Sequence, residues 1–165
     1  MGDDRPKRAV RIPLVVPDDR VTDLHWTRVK VAHCQQHTSD LGWDDPKHAD
    51  DLLTDYEDAN AALYDPLREE TDKLHANLVQ AAMRDVTSNL TTAKSNWTAG
   101  DRVNQPTYPL WHDDGSYAIT YDERAATFHK HKVSLATVNG RVECDYVLPA
   151  ELEGTPYKRY VLDSR

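Results

Sequence analysis

The chain has 165 residues, enough for about one domain that buries its own core. Its hydrophobic fraction is 39%, and no apolar run approaches the roughly 18 residues of a membrane span, so no membrane partner is expected. The formal net charge is −8, and the only cysteines, Cys34 and Cys144, are too few and too distant for a disulfide scaffold or a Cys-rich zinc ribbon.

In chain order, Arg8 to Val16 reads as a strand. Val10, Ile12, Leu14 and Val16 alternate along it, and Pro13 leaves one position unable to donate. Pro17-Asp18-Asp19 ends it. A helix is expected from Arg20 to about Ser39, with Val21, Leu24, Val31 and Cys34 on one face, Trp26 and Val29 widening it, and Gly42 closing it. Asp45-Pro46 predicts a second helix, with Asp as cap and Pro at the first helical position. Its apolar positions are Ala49, Leu52, Leu53, Tyr56, Ala59 and Leu63. Asp65-Pro66 repeats the signal and predicts a short helix to about Thr71. The strongest periodicity runs from about Lys73 to Ser95, through Leu74, Leu78, Ala81, Ala82 and Asp85, with Gly100 as a natural C-terminal stop.

From residue 101 the pattern becomes β. A turn is expected at Asp113-Asp114-Gly115, before Tyr117, Ile119 and Tyr121. Asn139-Gly140 between two alternating runs is a strong hairpin signal. It places Val142, Cys144, Tyr146 and Leu148 on one face and Arg141, Glu143 and Asp145 on the other. A last strand is expected over Tyr157 to Leu162. A lone N-terminal strand is not stable by itself, so it should pair with the C-terminal strands. The helices are then an insertion into a β unit, and the fold class is α+β.

Few residues carry recognisable chemistry. His33-Cys34-x-x-His37 sets two imidazoles at i, i+4, a spacing that can bind zinc. No Glu stands beside them and no third ligand is close in sequence, so no metal site and no cofactor are expected. Asp44-Asp45 and Asp50-Asp51 read as helix caps rather than paired catalytic carboxylates. There is no phosphate loop, nucleophile elbow or Ser/His/Asp arrangement. Asn77 and Gln80 lie three apart on the best helix, and both residue types can read adenine, although on spacing alone a solvated helix face is the better reading.

A set of ordered motifs adds to this. They are Arg8-Ala-Val-Arg-Ile-Pro-Leu, Tyr64-Asp-Pro-Leu-Arg-Glu-Glu-Thr-Asp72, Asn77-Leu-Val-Gln-Ala81, Gln105-Pro-Thr-Tyr-Pro109 and Asp113-Asp-Gly-Ser-Tyr117. Over about residues 8–163 the chain resembles the N-terminal part of haloarchaeal TnpB proteins, transposon-encoded RNA-guided DNA endonucleases. The resemblance implies a small split β-barrel, the OB-like wedge domain, from 8–17 and 101–165, with a helical recognition domain inserted over 18–100. It implies guide RNA and target DNA as partners, with a full-length TnpB copy as a further one. By position it assigns nucleic-acid contacts to Tyr64, Arg68, Asn77, Gln80, Thr120 and Tyr121, near Asp122. The family's nuclease core and its zinc ribbon have no counterpart before Arg165. The expectation is therefore a truncated, non-enzymatic binder, and the alternative is a folded remnant of an interrupted gene with no binding role.

Charge bears on that choice. Of 28 acidic residues 21 are Asp, and there are only two Ile and one Phe, a composition expected of proteins adapted to molar salt. There an acidic surface says little about nucleic acid, whereas in ordinary salt it opposes binding. An ordinary acidic protein has the same balance. Binding requires Arg8, Arg11, Arg68, Arg84, Arg124, Arg141 and Arg159 to gather in the fold. The start Met1-Gly2-Asp3-Asp4 has no apolar segment, so a cytoplasmic location is expected.

Overall fold

A computed structural model describes residues 9, 11–72, 74–110 and 118–147. The elements are β1 (Leu14–Val15), α1 (Val21–Gly42), α2 (Tyr56–Glu70), α3 (Ala76–Thr98), β2 (Ala126–Phe128), β3 (Lys132–Thr137) and β4 (Gly140–Tyr146). The four strands form one antiparallel open sheet in the order β1-β4-β3-β2. The fold is thus α+β, with the N-terminal strand beside β4: Leu14 pairs with Tyr146 and Val15 with Asp145. Among the described residues of the expected Arg8–Val16 run, two are strand, and both are exposed. The turn at Asp113–Gly115 and the strand over Tyr157 to Leu162, which a closed barrel would use, lie outside the described residues.

Alternation along the sheet separates two apolar clusters. Ala126, Val133, Val142 and Cys144 form one, against Val16, Leu24 and Tyr146. Ala136, on the other face of β3, joins Ala125 and the helical core of Val31, Cys34, Leu67, Leu74, Leu78, Val79, Ala82 and Met83. Tyr121 packs against both. The hairpin turn sits one residue earlier than Asn139-Gly140 implies. Thr137 pairs with Gly140, and Gly140, not Asn139, takes a positive φ of 75°. The register leaves Val138 and Asn139 as a two-residue connection, and because Asn139 does not take a positive φ it is not a type I′ turn.

Two helix starts differ from expectation. Asp45-Pro46 opens no α-helix. Asp45 has φ 44°, only a single 3-10 turn follows at Ala49–Asp51, and the Asp51 carboxylate accepts the N–H groups of Lys47 and His48. The helix begins ten residues later, where Asp55 accepts the N–H groups of Glu57 and Asp58. Asp65-Pro66 starts nothing either, because Pro66 lies inside α2. The buried Leu67 holds the helix together through a residue that normally breaks it.

The buried side of α1 is largely polar: Thr27, Arg28, Gln35, Thr38 and Ser39 are all buried. Several of these strap other segments. The Thr27 hydroxyl accepts the Val138 N–H at 3.0 Å. Ser39 donates to the Pro106 carbonyl and Arg28 to that of Pro109, so the 101–110 segment runs back along α1. Trp26, expected to widen the apolar face, is exposed. Among the described residues no helix is long and apolar enough to cross a membrane.

Candidate nucleic-acid interface

The residues singled out from sequence meet along the α2–α3 hairpin. Steps of four on α2 put Tyr56, Asn60, Tyr64 and Arg68 in one row, and steps of three and four on α3 do the same for Asn77, Gln80 and Arg84. The Tyr56 hydroxyl donates to Asn60 Oδ1 at 3.2 Å. Arg68 Nη1 donates to the Tyr64 hydroxyl at 3.0 Å, with its guanidinium 5.9 Å from that ring's centre. The rows touch where the Arg84 guanidinium lies 4.5 Å over the Tyr56 ring. All seven keep some solvent exposure. The strip therefore sets a cation beside each of its two aromatic rings.

The strip continues onto the β unit. Asn77 Nδ2 donates to Asp122 Oδ2 at 2.9 Å, and the other carboxylate oxygen accepts the N–H groups of Arg124 and Ala125, each at 2.9 Å. Burial alone would raise the Asp122 pKa. The hydrogen bonds from Ala125, Asn77 and Arg124, with the Arg124 charge, outweigh it and hold the carboxyl below its ordinary value. Arg141 lies across β3 and β2, donating to Ser134 Oγ, Thr127 Oγ1 and the Arg124 carbonyl. His75 caps α3 by accepting the Asn77 N–H at Nδ1. Its pKa is lowered by burial first, then by Arg141, and further by Arg68, against a smaller raising effect of Asp122. Arg68 and Arg141 thus converge electrostatically on a neutral imidazole at the positive end of the α3 dipole. Arg68 Nε is buried with no hydrogen-bond partner among the described residues.

The six assigned contact residues differ in what they have left to offer. Gln80 is half-buried and makes no side-chain hydrogen bond among the described residues, and Thr120 is exposed. Tyr64 packs against the core on one side and keeps some exposure, and Arg68 is half-buried. Asn77 is held by Asp122. Tyr121 is committed to the fold: its hydroxyl donates to the Ala136 carbonyl at 2.8 Å, and burial first, then the nearby Cys144, push its pKa up to about 12. Of the arginines expected to gather, Arg68, Arg84, Arg124 and Arg141 line this strip, Arg11 is exposed near β1, and Arg8 and Arg159 lie outside the described residues. Sequence reasoning missed Tyr56, Asn60 and His75. Spacing by four from Tyr64 would have found the first two.

A second group stands apart. The His33 and His37 rings of α1 lie tilted at 51° to one another with centres 4.2 Å apart, and Glu70 at the end of α2 lies 2.9 Å from His33 Nε2. One ligand atom of each residue falls within 4.8 Å of the other two. Cys34 does not take part. It is buried in the core, and burial, then the charge of Glu70, push its pKa up to about 12.

Comparison with protein-family models, with curated proteins and with solved structures returned no match, so the likeness to TnpB proteins rests on the sequence motifs alone.

Proposed function

We propose that the chain binds nucleic acid through the strip formed by α2, α3, the 120–124 segment and Arg141, without catalysing a reaction on it. The observation that carries this is the interleaving of Tyr56 and Tyr64 with Arg68 and Arg84, beside Arg124 and Arg141. Aromatic faces stack on bases, worth about 1–3 kcal/mol per base, and arginine forks suit phosphate oxygens. Gln80 supplies a group able to read a base edge. Within the resemblance to TnpB proteins, the bound species are a guide-RNA scaffold and the DNA motif beside a target, and a full-length TnpB copy is a further partner. The commitment of Asn77 and Tyr121 to internal hydrogen bonds, with the net charge of −8, favours a second reading, a folded remnant without a ligand.

The test is selection from randomised pools of structured RNA and duplex DNA, followed by affinity measurements across a salt series. Arg141→Ala and Arg68→Ala should weaken binding to every sequence and each lower the salt slope by about one. Gln80→Ala should flatten sequence preference by about 1–3 kcal/mol. Lys47→Ala, at an exposed site paired with Asp45, should change nothing. No enrichment at any salt concentration leaves the remnant reading standing.

A further inference from the structure

We infer that His33, His37 and Glu70 form a zinc-class metal site that ties the last residue of α2 to the middle of α1. Its argument is independent of nucleic-acid binding. The two histidines lie one turn apart on α1, and the fold delivers a carboxylate to them from another helix. A four-coordinate zinc holds N and O ligands at about 2.0–2.2 Å, which sets ligand atoms about 3.3 Å from one another. The spread here, from 2.9 Å between His33 and Glu70 to within 4.8 Å overall, brackets that value. His37 and Glu70 are exposed, so their side chains have room to rotate the remaining distance without moving backbone.

The donor set identifies the class of ion. Two imidazoles and one carboxylate suit zinc and its late first-row neighbours, whereas magnesium and calcium take oxygen ligands. Three protein ligands leave a fourth position facing solvent. Charge is managed locally. Glu70 offsets part of the dication, and Lys30, one turn before His33, already gives its ammonium to the Thr71 carbonyl at 2.8 Å. That bond ties the same two places in the fold, so the metal would complete a clamp that Lys30 begins. The clamp also fixes the turn of α2 that carries Arg68.

The experiment uses tag-free chain stripped with chelator and titrated with zinc by calorimetry, alongside thermal melts. The expected result is one saturable zinc per chain. Replacing a group that merely supports a ligand already costs 10–100-fold in metal affinity, so His37→Ala and Glu70→Gln should each weaken binding at least tenfold. Zinc at about 100 times its dissociation constant should raise the melting temperature by about 5–10 °C, an effect lost in both variants and absent with millimolar magnesium. Both replacements are at exposed positions, and near-ultraviolet dichroism checks that each variant is folded. The proposal is overturned if wild type shows no saturable binding, if either variant keeps wild-type affinity, or if magnesium gives the same shift.

Discussion

Asp122 is the acid whose hydrogen bonds join α3 to the 120–124 segment of the proposed interface, and replacing it with asparagine separates stability from binding. The wild-type carboxylate accepts three hydrogen bonds, two from backbone N–H groups and one from Asn77. Bonds to a charged acceptor contribute about 1.5–3 kcal/mol and neutral ones about 0.5–1.5. Asparagine keeps the shape and an oxygen for the two backbone N–H groups, but its Nδ2 then faces Asn77 Nδ2, so the third bond survives only if the Asn77 amide turns its oxygen toward it, and every remaining bond is neutral. With Asp122 partly open to solvent, a net loss of about 1–2 kcal/mol is expected. For a chain of this size that lowers the melting temperature by about 2–8 °C. The sign with pH follows from the depressed pKa. The stabilisation is present above the unfolded value of about 3.9 and is lost as pH falls through the lower folded value. The melting difference between wild type and Asp122→Asn should therefore be full at pH 7 and shrink below about pH 4. Binding should move the other way. Removing one negative charge among Arg68, Arg124 and Arg141 relieves about 0.5–1.4 kcal/mol of repulsion toward a phosphate at low salt, a twofold to tenfold gain in affinity. Equal melting temperatures at pH 7 would refute the hydrogen-bonding account, and a destabilised variant with unchanged affinity would refute the placement of Asp122 in the interface.

Gly42 lets α1 approach α3: a Cβ there would stand 2.3 Å from Leu90 Cδ1, and Leu90 is fully buried. Gly42→Ala should cost about 1–3 kcal/mol by overpacking, less the gain of alanine in a helix, and combining it with Leu90→Ala in denaturant melts should cost less than the sum, since the new methyl enters the cavity. Tyr121→Phe should cost about 1 kcal/mol through the lost bond to Ala136; by absorbance titration the wild-type residue should stay protonated to about pH 12, so the stability it carries is lost between pH 10 and 12. The Cys34 thiol, pushed up to about 12 by burial, should react with a thiol reagent only at the rate of global unfolding.

What could be read from the sequence depended on how local the signal was. α3 was legible because its apolar stripe repeats over 23 residues, and that periodicity outweighs any boundary effect. The β3–β4 hairpin was legible for the same reason, although the turn moved by one residue once Thr137 bonded to Gly140. The second helix was misread because Asp-Pro is a short signal. Residues 43–55 instead fold so that Leu52 is buried and the Leu53 N–H reaches the Gly42 carbonyl, a tertiary demand that no cap residue announces. The segment after α3 carries no periodicity at all. Its course is set by Ser39 and Arg28, polar residues whose burial on α1 no pattern indicated. At the candidate interface, Tyr64, Arg68, Asn77 and Gln80 were named from positional resemblance, but which of their polar atoms are already occupied depends on Asp122, far along the chain. The metal-ligating pair on α1 was visible by spacing, while Glu70 became its neighbour only through the packing of α2 on α1.

The same contrast between local and global terms governs the electrostatics. A net charge of −8 describes the whole chain, yet on the proposed reading a phosphate at the α2–α3 strip would be placed by the cations beside it, Arg84 over Tyr56 or Arg68 and Arg141 about His75. At about 0.1 M salt the screening length is about 10 Å, and distant acids still oppose approach; at about 1 M it is near 3 Å, and only groups in contact are felt. On the proposed reading the local arginines then decide whether a nucleic acid stays, together with stacking on the exposed parts of Tyr56 and Tyr64, which salt does not screen. On that reading, raising salt therefore removes the repulsion of distant acids but also weakens each arginine–phosphate contact, so short-range contacts such as stacking are the part of binding that should persist in molar salt.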